Sequence, residues 1–212
     1  MMKPKCLLSL LTVIAATFQV AAIDLFHLKD FTVLPGDTAL VEILLENEAE
    51  YTAFQTDLYF PEGLTYVNQS VALTDRKSAD HMIMANGLVD GGLRIMSYSL
   101  GVNPFGGNSG TLVTLKVVAD ESLVIPAVVV QKRTRITDLS GTETSLEGSS
   151  CVVTCLGDVN ADGHTNIGDV TALINYLLSG DPSTSAALAN VNGDAHVNIG
   201  DVTALINILL KG

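Results

Sequence analysis

Between residues 158 and 169, groups bearing oxygen recur at alternate positions: Asp158, Asn160, Asp162, the His164 carbonyl and Asn166, with Asp169 closing the series. Gly163 follows the third of them, where a chain folding back on itself must turn sharply. Calcium is a hard cation that takes about six to eight oxygens, and this spacing wraps them around one centre. The pattern returns at a constant offset as Asn190, Asn192, Asp194, the His196 carbonyl, Asn198 and Asp201. Residues 157–178 and 189–210 are identical at 16 of 22 paired positions, which is duplication and not composition. The reading is two calcium sites, the second weaker. Asn190 there replaces the first carboxylate, and Ala195 stands where a turn glycine is wanted. His164 and His196 lack Cys or His neighbours, so their carbonyls, not their imidazoles, are the expected donors.

Each loop must be positioned by the helix that follows it. Val170, Leu173, Ile174, Leu177 and Leu178 fall on one helical face, and Val202, Leu205, Ile206, Leu209 and Leu210 repeat it. Residues 156–212 have little core of their own, so the two apolar faces are expected to bury against each other. Ion binding would then contribute directly to folding. Ser179-Gly180-Asp181-Pro182-Ser183 ends the first helix, with Ser183 as the cap of a short connecting turn over 184–189.

Residues 23–154 read in period two. Phe54, Thr56, Leu58 and Phe60 alternate with Ala53, Gln55, Asp57 and Tyr59; Thr111, Val113, Leu115 and Val117 alternate in the same way with Leu112, Thr114, Lys116 and Val118. Similar runs cover 26–33, 39–46, 93–100, 124–131 and 150–154. Pro35-Gly36-Asp37, Pro61-Glu62-Gly63, Asp90-Gly91-Gly92, Pro104-Phe105-Gly106-Gly107 and Ser140-Gly141 punctuate them. Many short strands between turn signals describe an all-β sandwich or barrel. His27 and His81 stand in no nucleophile or metal pattern, and no carboxylate pair is singled out, so an enzyme is not expected. Asn68-Gln69-Ser70 matches a glycosylation sequon, a short match that chance also supplies. Cys151 and Cys155 would lie about 13 Å apart along a strand, beyond disulfide reach, and are read as two buried free thiols.

The chain has 212 residues and a net charge of −12, which argues against a role in tracking nucleic-acid phosphates. Aromatic residues make up only 5% and Trp is absent, which weakens a sugar-stacking platform, although Tyr51, Tyr59, Tyr66, Tyr98 and Phe105 would be available if exposed. Met1-Met2-Lys3-Pro4-Lys5 and the apolar run from Cys6 to Val20 read as a secretory signal over residues 1–22, cleaved after Ala22. No other segment is apolar enough to span a bilayer, so a secreted or cell-surface protein is expected.

Asp158 to Leu178 and Asn190 to Leu210 resemble the two segments of a type I dockerin, including an Asp at the end of each loop (Asp169, Asp201) where ordinary EF-hands carry Glu. The resemblance implies a small all-α module over 156–212, with EF-hand-like repeats at 158–178 and 190–210. Such modules dock on a cohesin-type domain and assemble extracellular polysaccharide-degrading complexes, as in a bacterial cellulosome. By analogy Ile167, Gly168, Asn175, Ile199, Gly200 and Asn207 would face the partner. Ile-Gly at loop positions 10 and 11 in both copies departs from the hydroxylated pair often found there and implies a more apolar contact. The alternative for Ile167 and Ile199 is that they pack beneath their loops. Residues 53–64 and 110–117 are similar to strand segments of a cohesin, or of a related carbohydrate-binding, jelly-roll-like β-sandwich, which implies that fold for 23–154. The expected function is a non-catalytic adaptor. The alternative is a carbohydrate-binding sandwich delivered to a complex by its dockerin.

Overall fold

The computed structural model describes residues 24–180, 184, 186–194 and 196–210; the leader expected over 1–22, Ile23, the cap expected at Ser183 and Ala195 lie outside them. Alternating apolar positions produce strands β1 (Leu25–Leu28), β2 (Phe31–Val33), β3 (Thr38–Glu46), β4 (Tyr51–Tyr59), β5 (Leu64–Tyr66) and β6 (Ala72–Leu73). They continue with β7 (His81–Gly87), β8 (Leu93–Ser99), β9 (Thr111–Ala119), β10 (Ala127–Asp138), β11 (Glu143–Ser145) and β12 (Ser149–Cys155). Helices α1 (Ile167–Ser179), α2 (Ala186–Ala189) and α3 (Ile199–Leu209) follow.

The strands form two sheets. One runs β1-β3-β9-β5, with β6 also on β9; the other runs β2-β12-β10-β4-β8-β7, with β11 on β10. Val41, Ile43 and Leu45 of the first sheet meet Leu58, Ile95, Val129 and Val153 of the second in one buried core. The expected single run over 26–33 is two strands. The chain leaves the first sheet after Leu28 and joins the second at Phe31, where β2 lies parallel to β12. Lys29 and Asp30 make the step, and Asp30 receives the Val152 amide at 2.7 Å. Strands β5, β6, β7 and β11 carry no marked alternation in sequence; β7 is an edge strand and largely half-exposed.

Two polar features fix the second sheet. Gln131 is fully buried, but its amide nitrogen donates to Thr56 at 2.9 Å and Thr134 at 3.2 Å, and its oxygen accepts from Ser149 at 2.6 Å. Every bond that the burial endangers is therefore replaced. On the outer face a bulge in β10 places Arg133 at φ 52°, aiming its Nε at Asp57, 2.6 Å away. Arg94 grips the same carboxylate with two bonds of 2.7 Å.

Candidate metal and docking site

The helical region has a small core of its own: Val159, Val170, Leu173, Ala189, Val191, Val202 and Leu205. The two helices pack through Val170 and Leu173 against Val202 and Leu205, so only part of the predicted apolar face is buried. Ile174 and Leu178 are 39% and 82% exposed, and Ile206 and Leu210 are 40% and 79% exposed. The whole-face burial expected from spacing is corrected: an apolar arc this wide exceeds what one neighbouring helix covers.

Both helices begin alike. Asn166 caps α1, accepting from the Gly168 amide at 2.7 Å, while Asp169 accepts from the Asn166 amide at 2.8 Å. The other oxygen of Asp169 receives the Asn160 amide at 3.0 Å, so one buried carboxylate ties the loop to the helix start. Asn198 and Asp201 reproduce this in α3, where Asp201 accepts from Asn198 at 2.8 Å and from Asn192 at 3.1 Å. In loop one Asp158 receives the Asp162 amide at 3.0 Å and the Gly163 amide at 2.9 Å, drawing the ring closed, and Gly163 has φ 88°. Loop two differs at its first position. The Asn190 amide group donates to the Asp194 carbonyl, and its Oδ1 is buried without a hydrogen-bond partner among the described residues. The Asp194 carboxyl is held below its ordinary range by the His196 amide and then by the Asn192 side chain.

This donor set fits a hard cation. Asp158, Asp169 and Asp201 are 7%, 0% and 0% exposed, and no Lys or Arg pairs with them among the described residues. Buried carboxylates in that state call for a positive charge, and the orphaned Asn190 oxygen calls for a donor or an ion. No group of three or more His, Cys, Asp or Glu side chains is poised to hold a metal alone among the described residues. Asn side chains and main-chain carbonyls make up the remaining oxygens of such a loop. The His164 side chain is 82% exposed and His196 is also exposed, so both imidazoles lie outside the rings.

Of the residues expected to face a partner, Ile167 is 72% and Ile199 71% exposed, which removes the alternative that they pack beneath their loops. Asn175 and Asn207 are exposed, and Gly168 and Gly200 are half-exposed. Ile174 and Leu178, with Ile206 and Leu210, extend each exposed row along its helix. Spacing had put them in the core, and only the packing angle reveals them. Among the aromatic residues that a sugar platform would use, Tyr51 and Phe105 are buried at 6% and 4%. Tyr51 donates to Asp24, and Tyr59 lies under Lys132 and Arg133, so neither offers an open ring face. Cys151 and Cys155 are both buried and unpaired, as expected; burial pushes the Cys151 thiol up to about 11 and raises Cys155 as well.

Residues 156–210 match the family model for the dockerin type I domain. No curated protein matches the chain. The sandwich is similar to solved cohesins. The sixth cohesin of Acetivibrio cellulolyticus scaffoldin B, solved with a mutant Cel5 dockerin, shares 12% identity at TM-score 0.51, over 61% of this chain and 98% of that one. A cohesin module from a Clostridium perfringens family 33 glycoside hydrolase shares 17% at TM-score 0.50, over 61% and 93%. The OlpA cohesin–dockerin complex of Clostridium thermocellum gives 11% at TM-score 0.50, over 62% and 99%. The fold class is thus a cohesin-like β-sandwich followed by a small helical region of the dockerin type. Among the described residues no helix is long and apolar enough to cross a membrane.

Proposed function

We propose that the chain is a secreted, non-catalytic adaptor whose calcium-loaded helical module docks on a cohesin-type domain in a polysaccharide-degrading assembly. The observation that carries this reading is the repeated pairing of a carboxylate-closed loop with an outward apolar row. Ile167, Ile174 and Leu178 form that row in the first copy, and Ile199, Ile206 and Leu210 in the second, all exposed. Asp158, Asn160, Asp162, the His164 carbonyl, Asn166 and Asp169 would hold the tighter ion. Asn190, Asn192, Asp194, the His196 carbonyl, Asn198 and Asp201 would hold the weaker one. The bound ions supply positive charge at the buried carboxylates and lock each loop to its helix. The exposed Ile and Leu side chains, with Gly168, Asn175, Gly200 and Asn207, then form a fixed, largely apolar contact surface.

Secretion is supported by the leader-like sequence over 1–22 and by the extracellular setting of dockerin-type assemblies. Calorimetric titration of the full chain with calcium tests the ion reading, with one tight and one weaker site expected. Asp158→Ala together with Asp169→Ala should abolish the tight site, and unchanged uptake in that double variant would overturn the assignment. A pull-down on insoluble polysaccharide, with a panel of cohesins alongside, separates the adaptor from the carbohydrate-binding alternative.

A further inference from the structure

We propose that calcium in loop one, and not in loop two, latches the helical module onto the sandwich, and that Cys155 is the group this latch covers. The inference rests on the calcium reading above and adds what the ion would control. Strand β12 ends at Cys155, and pairing with β2 continues one residue further, where the Leu156 amide donates to the Val33 carbonyl at 3.2 Å. Gly157 comes next at φ 86°, a left-handed pivot; a Cβ there would lie 2.8 Å from Leu205 and 3.0 Å from Thr165. The junction is therefore one glycine wide.

Loop one closes over it. The Thr165 hydroxyl donates to the Leu156 carbonyl at 2.9 Å and lies 3.2 Å from the Cys155 sulfur, in position to accept from the thiol. Gly163 sits against the sandwich, where a Cβ would be 3.8 Å from the Ile125 carbonyl. Among the described residues, every hydrogen bond of the loop-two side chains stays within that loop. The two cores remain separate. They share no residue, and α3 faces the turn after β2 across an open cleft of about 770 Å³, lined by Leu34, Pro35, Leu156, Thr165, Ile208 and Leu209. Leu205 and Ile208 of α3 give the pivot apolar contact, while the side-chain hydrogen bonds at the junction come from Thr165 of loop one. Thr165 lies between the expected ligands His164 and Asn166, so the ion that fixes the ring also fixes the latch. Losing it frees Thr165, lets Gly157 swivel and uncovers a thiol that is 6% exposed when latched. Cys151, fully buried in the sandwich core four residues earlier, is the built-in control.

The test uses the full chain, pulse-labelled with N-ethylmaleimide in calcium and in EGTA. Each thiol is read by tandem mass spectrometry, and calcium uptake of the same sample by calorimetry. EGTA should speed labelling of Cys155 by roughly tenfold or more, as expected for a local opening, and leave Cys151 protected. Asp169→Asn should expose Cys155 even in calcium. Asp201→Asn, which alters the same capping position in the other helix, should leave it covered. The latch is overturned if Cys155 labels at one rate with and without EGTA while calorimetry records uptake, if Asp201→Asn exposes it as Asp169→Asn does, or if Cys151 opens along with it. Absence of any calcium uptake would overturn the ion reading itself, a different failure.

Discussion

Asp57 shows how a single residue on a solvent-facing strand position becomes fully buried. Arg94 and Arg133 cover it, and Arg133 reaches it only because a bulge holds its backbone in the left-handed region. Replacing Asp57 by Asn removes the charge that both guanidinium groups share. The arginines are 29% and 47% exposed and partly resolvate, so the loss should be about 2 kcal/mol, below the cost of breaking a wholly buried pair. A shift in the urea midpoint without a change in slope would report it. Asp80 acts through pH. The Ser99 hydroxyl, and after it the Gly101 amide, hold its carboxyl down to about 2. An unfolded aspartate titrates near 3.9, so between these values the folded chain binds fewer protons. The contribution is complete above about pH 4 and is lost as pH falls towards 2. Thermal melts across that window should show the slope, and Asp80→Asn should flatten it.

At the scale of the element, the helix pair divides its apolar residues into those that hold it together and those it leaves outside. Leu205 is fully buried, and Leu205→Ala should cost about 3 kcal/mol, a large share of what so small a core supplies. Leu178→Ala, at an 82% exposed position, should change stability by less than about 0.5 kcal/mol. Comparing the two by the loss of helical ellipticity on heating checks the division. Loop spacing, turn glycine and closing Asp were legible in the sequence, because each depends on neighbours within a dozen residues, whereas Asn166 and Asn198 read there only as loop oxygens and show themselves as helix caps in the structure. Which of the leucines and isoleucines point inward was not, because that is set by the angle at which α1 meets α3. The same limit hid the break at Lys29–Asp30. Both halves of that run alternate correctly, and only long-range pairing assigns them to different sheets. Strand β7 was missed for the opposite reason: as a half-exposed edge it needs no strict alternation.

The molecule as a whole is two cores joined at one glycine, and they should melt separately when the ion is withdrawn. Differential scanning calorimetry in calcium and in EGTA is expected to show the lower transition moving down by several degrees and the sandwich transition staying in place. A single transition that shifts as one would contradict this independence. The parallel pairing of β2 with β12, ending one residue before the pivot, also determines how the chain carries mechanical load. Once β1 has left β3, a pull between Phe31 and the helical module runs along these two strands in opposite directions and strains their rungs together instead of one after another. Under flow or tether tension the β-sheet bonds at Phe31–Val33 would therefore resist as a shear clamp.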